Sequence, residues 1–187
     1  MKEVFEGISP LFFYEFVMKE VNIFDNFLTE DECQFLKEMI IWNDSFPWFM
    51  HKQIGTKNEP EHLWSWYGTH CFYDHRQPQS SHWDSLNDIL LGAIEKRIEI
   101  KALLRLKANF FGNTETLREH EPHVDYKFPN VSGIYCLNTC DGYSRLEDGT
   151  KIDSVENRFY IFNGGKLHNS TSTTNTQGRF NININFL

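Results

Sequence analysis

The sequence predicts a mixed, mainly β fold: antiparallel strands in the C-terminal half, supported by helices in the N-terminal half. Three observations predict it. After residue 100, apolar and polar residues alternate, and short strand-like runs follow with turn residues between them. Before residue 100, two stretches space their apolar residues at helical intervals. The 187 residues include 17 Phe, 7 Tyr and 5 Trp, side chains that favour pleated surfaces and concave pockets.

Taken in order, Val21–Phe27 alternates Val21, Ile23 and Phe27 with polar residues and predicts a strand. Thr29 through Glu32 is a capping box, in which Thr and Glu side chains satisfy free N–H groups at a helix start. Cys33, Leu36, Met39 and Ile40 then fall on one helical face. Residues 43–80 carry Pro47, Gly55, Pro60, Gly68 and Pro78 among aromatics, which predicts long loops with one strand inside Leu63–Tyr73. Ser81 opens a second helix, with Trp83, Leu86, Leu90, Ala93 and Arg97 or Ile98 on one face.

From Leu104 the period changes to two. Leu104, Leu106, Ala108 and Phe110 alternate with Arg105, Lys107, Asn109 and Phe111. Further strands are predicted at Val131–Asn138, Leu146–Ile152, Arg158–Asn163 and Arg179–Phe186, separated by Asp-Gly, Gly-Gly and Gln-Gly turns. Short strands with turns between them predict a barrel or sandwich. No repeat or low-complexity linker divides the chain, so 1–187 reads as one domain, with 1–99 as helix-containing support and 100–187 as the β core.

Charge and apolar content bound the function. The net charge of −8 argues against a nucleic-acid binder, which needs a basic face. No apolar run approaches the roughly 20 residues of a membrane span. Glu3, Glu6 and Glu15 interrupt any secretory leader. Four widely spaced cysteines are then expected as free thiols in a cytoplasmic protein. Oligomeric state is left open.

The chemistry-bearing residues lie in the C-terminal half. His123 and Asp125 are two positions apart, so on an extended segment both point to the same face and can reach one ion. His168, just after the Gly164-Gly165 turn, is the candidate third ligand. Two His and one carboxylate leave coordination positions open, as non-haem Fe(II) oxygenases require; a closed four-ligand site would hold zinc structurally. Arg179 opens the last strand and shares its polar face with Asn181, Asn183 and Asn185. An inward Arg is costly unless it meets an anion, and a guanidinium grips a carboxylate bidentately.

This run of residues resembles the 2-oxoglutarate- and Fe(II)-dependent oxygenase superfamily, nearest its prolyl-4-hydroxylase-like branch. The resemblance is carried by His123-Val124-Asp125, Ile134–Asn138, the acidic Gly-containing turn, Phe159–Phe162, His168 and Arg179, and by the opening Val21–Leu28. It covers residues 21–42 and 100–187. It implies a double-stranded β-helix, or jelly roll, of two facing sheets. It further implies Fe(II) on His123, Asp125 and His168, and 2-oxoglutarate anchored by Arg179 beside Asn181, with O₂ as co-substrate. The branch usually has a Tyr on the strand before the HxD motif; here that strand ends Asn109-Phe110-Phe111, which leaves Asn109, Tyr135 or Asn138 as further cosubstrate contacts. The resemblance implies hydroxylation of a C–H bond in a protein or peptide side chain, and a small molecule remains open as substrate. A nucleic-acid demethylase and a non-catalytic cupin-like β-helix that binds a small ligand are the other readings.

Overall fold

The computed structural model describes residues 21–52 and 65–187. Its largest element is a sheet of eight strands. The order is β1 (Asn22–Phe24), β9 (Arg158–Asn163), β6 (Val131–Cys136), β11 (Gly178–Phe186), β5 (Leu103–Gly112), β3 (Tyr67–Asp74) and β2 (Phe49–His51), with β4 (Gln77–Pro78) paired to β3. Every neighbouring pair is antiparallel. A smaller sheet, β10 (His168–Ser170), β7 (Tyr143–Leu146) and β8 (Lys151–Asp153), is also antiparallel. Residues 118–123 extend it along β10 through bridges Glu119↔Thr171 and His123↔His168. Pro122 has no N–H to give, which interrupts this segment as a continuous strand. The two sheets form the expected jelly roll.

The alternation read from the sequence decides what each face of the large sheet meets. Leu106, Ala108, Ile182, Ile184 and Phe186 point away from the small sheet and are almost wholly buried. They pack against α1 (Glu30–Ile40) and against a helical segment of α2 (Trp83–Leu86), a π-helical turn (Asn87–Leu91) and α3 (Gly92–Glu95). The α1 face is Cys33, Leu36 and Ile40, and its N-terminus carries both halves of the Thr29–Glu32 capping box. Each fully buried Leu or Ile contributes about 1.5–3 kcal/mol. Between the two sheets lies a second, smaller cluster of Ile134, Cys136, Ile152, Tyr160 and Phe162. Apart from Phe111, the remainder of that inner face is polar.

Several expectations change. Leu146–Ile152 is not one strand but the turn of the β7–β8 hairpin, where Gly149 takes a left-handed φ of 88°. Residues 43–80 are more than loops: within them β2, β3 and β4 extend the large sheet by three strands. Leu63 and Trp64, the start of the strand expected there, lie outside the described residues. The strand expected over Val21–Phe27 is confined to Asn22–Phe24. The second helix has no side-chain cap, since His82 at its start makes none. The strands at Arg158–Asn163 and Gly178–Phe186 fall where the sequence predicts them.

Candidate metal centre

β10 and the segment before Asp125 bring the predicted ligands together. His123 and His168 are antiparallel partners, each N–H donating to the other's carbonyl at 2.9 Å. Facing positions of such a pair carry their side chains on the same side, and the ring centroids lie 4.8 Å apart. Asp125 is fixed by its N–H, which donates to the Gly164 carbonyl at 3.1 Å. A Cβ at Gly164 would collide with the Ser132 hydroxyl and the Asn130 amide, so this approach requires glycine. One ligand atom from each of His123, Asp125 and His168 lies within 4.8 Å of the others.

The donor chemistry fits a metal. Nδ1 of His168 lies 2.9 Å from the Lys166 carbonyl, and Nδ1 of His123 lies 3.4 Å from the Glu121 carbonyl. A carbonyl only accepts, so Nδ1 carries the proton and the Nε2 lone pair is left for an ion. Nε2 of His168 sits 3.6 Å from Oδ2 of Asp125. Burial pushes His123 down to about 4, helped by His168 beside it, so the ring is neutral at physiological pH. Burial alone would raise Asp125; His168, Arg105 and the Ser132 hydroxyl outweigh it and bring the carboxyl down to about 2.

Asp125 is held from several sides. Oδ2 accepts from Ser132 Oγ at 2.5 Å and from Asn185 Nδ2 at 2.9 Å, and Oδ1 accepts from Arg105 Nη2 at 3.1 Å. Arg105 also donates to Asn185 Oδ1 at 2.9 Å. These are inward positions of β5, β6 and β11, matched by the register Asn185↔Arg105 and Asn185↔Ser132. The polar face of β11 and Arg105 were visible in the sequence; Ser132 was not singled out, although a Ser among the apolar residues of β6 is a signal.

A cleft opens beside the three ligands. Asn109, Asn181, Ser144, Phe111, Phe162 and Lys107 line it. Asn109 donates to Asn181 at 2.9 Å. Arg179 is wholly buried. Nη2 donates to Ser144 Oγ at 3.0 Å, Nη1 reaches the Thr171 carbonyl at 3.5 Å, and Nε has no partner. No carboxylate among the described residues pairs with it; Glu156 is bonded to Lys37 at 2.8 Å. A buried guanidinium with an orphan N–H and no counter-ion is a site for an anion. Lys107 also faces the cleft; burial, with Arg105 next to it, brings its ammonium down to about 8.

Two of the expected cosubstrate contacts lie elsewhere. Tyr135 pairs with Ile182 and faces the helices, where its hydroxyl donates to Asn157 at 3.1 Å. Asn138 lies beyond the end of β6 and clamps β11, donating to the Gly178 carbonyl and accepting from the Phe180 N–H, both at 2.9 Å. His120, a polar residue three positions before His123, is 2% exposed, and its Nδ1 lies 2.8 Å from Ser170 Oγ. His70, near Asp74 and His75 in sequence, is no ligand: its ring nitrogens meet the Pro47 carbonyl at 2.8 Å and Ser80 Oγ at 2.7 Å.

No protein-family model and no curated protein sequence matches the chain. Solved structures do. A prolyl hydroxylase from Trichoplax adhaerens, in complex with a hypoxia inducible factor peptide fragment, superposes with a TM-score of 0.63 at 14% identity, covering 96% of this chain and 90% of that one. The fold is that of the prolyl hydroxylases. A viral collagen prolyl hydroxylase from Paramecium bursaria Chlorella virus-1, in a 2-oxoglutarate complex, gives 0.56 at 12% identity over 89% of this chain and 96% of its own. The same fold carries different outcomes. An alpha-ketoglutarate-dependent epimerase of nogalamycin biosynthesis matches at 0.61 and 12% identity, covering 89% of this chain and 77% of that one.

Proposed function

We propose that the chain is a 2-oxoglutarate- and O₂-dependent Fe(II) oxygenase that hydroxylates a C–H bond. One observation carries the reading: a two-His, one-carboxylate cluster opens on a cleft lined by Ser144, and behind Ser144, donating to it, is the buried Arg179 with no acidic partner among the described residues. Fe(II) on His123, Asp125 and His168, with 2-oxoglutarate and O₂, would supply an oxidant for a C–H bond and release succinate and CO₂.

The protein's own part is positioning. Arg105, Ser132 and Asn185 hold Asp125 as a carboxylate in one orientation. The two backbone carbonyls fix the tautomer of the ligand histidines. Arg179, with Ser144, would grip the far carboxylate of the cosubstrate, and Asn109 and Asn181 would line its path. Phe111, Phe162 and Ile134 keep water from the inner end of the cleft. The peptide held by the Trichoplax enzyme favours a protein or peptide side chain as substrate, and the epimerase of the same fold keeps a small molecule in view.

The test is an assay of succinate release from 2-oxoglutarate in air. Release that requires added Fe(II) and stops with a chelator is the expected result. Succinate release that persists without iron, or never occurs under reducing conditions with Fe(II), contradicts the reading.

A further inference from the structure

The inner face of the large sheet carries more positive charge than the proposed chemistry uses. Arg105, Lys107 and Arg179 all face inward, from β5 and β11. Among the residues lining the cleft, Asp125 is the only carboxylate, and Arg105, Ser132 and Asn185 already donate to it. Arg179 has its assignment at the far end. That leaves Lys107.

The Lys107 ammonium makes no hydrogen bond or ion pair among the described residues. Asp125 and Asp74 attract it, but neither is paired with it. Its partner across β11 is Asn183, whose side-chain carbonyl is itself buried without a partner, and its partner across β3 is Cys71. An ammonium half-buried in a cleft without a counter-ion is costly, and a Met of similar length would fill the same space without that cost. The charge tally points the same way. With Fe(II) and 2-oxoglutarate cancelling and Asp125 offsetting Arg105, Arg179 and Lys107 leave a net charge of about +2; one carboxylate of 2-oxoglutarate would lie at the metal and the other at Arg179. Lys107 lies between these ends, two residues from Arg105 along β5, and the cosubstrate leaves it no anion.

We infer that the substrate to be oxidised carries a carboxylate and that Lys107 binds it. This rests on the oxygenase reading and names its substrate class. The carboxylate belongs either to a free organic acid or to an acidic side chain of a peptide, and the experiment separates the two.

The test uses the full chain loaded with Zn(II), which occupies the ligands without turnover, and saturated with 2-oxoglutarate. Binding is followed by ligand-observed NMR. One arm contains short aliphatic carboxylic and amino acids, each beside its primary amide; the other contains end-capped peptides with a single Asp or Glu, each beside its Asn or Gln counterpart. In at least one arm an acid should bind about ten-fold or more tightly than its amide, the arm identifying the source. Lys107→Met and Lys107→Gln should abolish that preference and Lys107→Arg should retain it, with 2-oxoglutarate affinity nearly unchanged in all three and folding checked by circular dichroism. No acid preferred over its amide in either arm overturns the inference. So does a Lys107→Gln protein that keeps the preference, or one that instead loses 2-oxoglutarate about ten-fold, which makes Lys107 a cosubstrate contact. Failure of 2-oxoglutarate to bind the Zn(II)-loaded wild type overturns the oxygenase reading itself, and this inference with it.

Discussion

The two faces of β11 differ more than any two separate regions of the molecule. On one face Ile182, Ile184 and Phe186 are packed under the helices, with Phe180 half-buried beside them. On the other, Arg179, Asn181, Asn183 and Asn185 face the small sheet, buried yet polar. A strand alternates its side chains, so nine residues supply a stabilising surface and a chemical one at once. The apolar face needs only volume and close packing. The polar face needs partners, and where the described protein supplies none, as at Arg179 Nε and Asn183 Oδ1, the position marks where a ligand belongs.

The sharpest way to break the comparison is to exchange what the faces do. Ile184→Ala should cost about 2–5 kcal/mol of stability, the range for truncating a fully buried Ile, and leave 2-oxoglutarate affinity near wild type. Chemical unfolding beside a cosubstrate titration measures both. Arg179→Ala should do the reverse. A charge-assisted pair is worth about 1.5–3 kcal/mol, so 2-oxoglutarate binding should weaken roughly 10- to 150-fold with metal occupancy near normal, and Arg179→Lys should fall between. The charge-transfer band of the anaerobic Fe(II) protein reports that affinity. An unchanged band titration in Arg179→Ala would move the anchor to another residue.

The polar face should also make the protein acid-labile. Burial brings His120 down to about 3, helped by Arg179 and His123, from an ordinary 6.5. The folded state therefore binds fewer protons than the unfolded chain below about pH 6.5, so stability is complete above that pH and falls as pH drops toward 3. His123 acts in the same direction. His120→Gln should flatten the slope between about pH 6.5 and 4, measured as the urea midpoint at several pH values. An identical slope would mean His120 is not the group responsible. The smallest effect is expected at the supporting helix: Thr29→Ala removes one half of the capping box and should cost about 1 kcal/mol, with no change in ligand affinity.

How much of this was legible depends on how many faces of an element are alike. β11 and β5 alternate cleanly, so their inward residues could be read directly. The i, i+2 spacing of His123 and Asp125 carried the metal cluster for the same reason. β6 is buried at all six positions, and apart from Ser132 its residues give no facing signal, so Tyr135 could be assigned to the wrong face. Asn138 is a polar residue at a strand end, where capping the neighbouring strand looks the same in sequence as binding a ligand. The β7–β8 hairpin was read as one strand because residues with strand propensity flank the Asp148-Gly149 turn. Residues 43–80 combine Pro and Gly with aromatics, and the pairing that makes β2–β4 part of the sheet is long-range, invisible to local pattern.

The central claim is that three side chains converge to hold one Fe(II). It is tested most directly by anaerobic Fe(II) titration of the wild type and His168→Ala, with thermal unfolding of the metal-free proteins as the control. The account predicts one Fe(II) per wild-type chain, loss of that binding in His168→Ala, and similar metal-free stability in both. Full iron occupancy in a well-folded His168→Ala protein would contradict it.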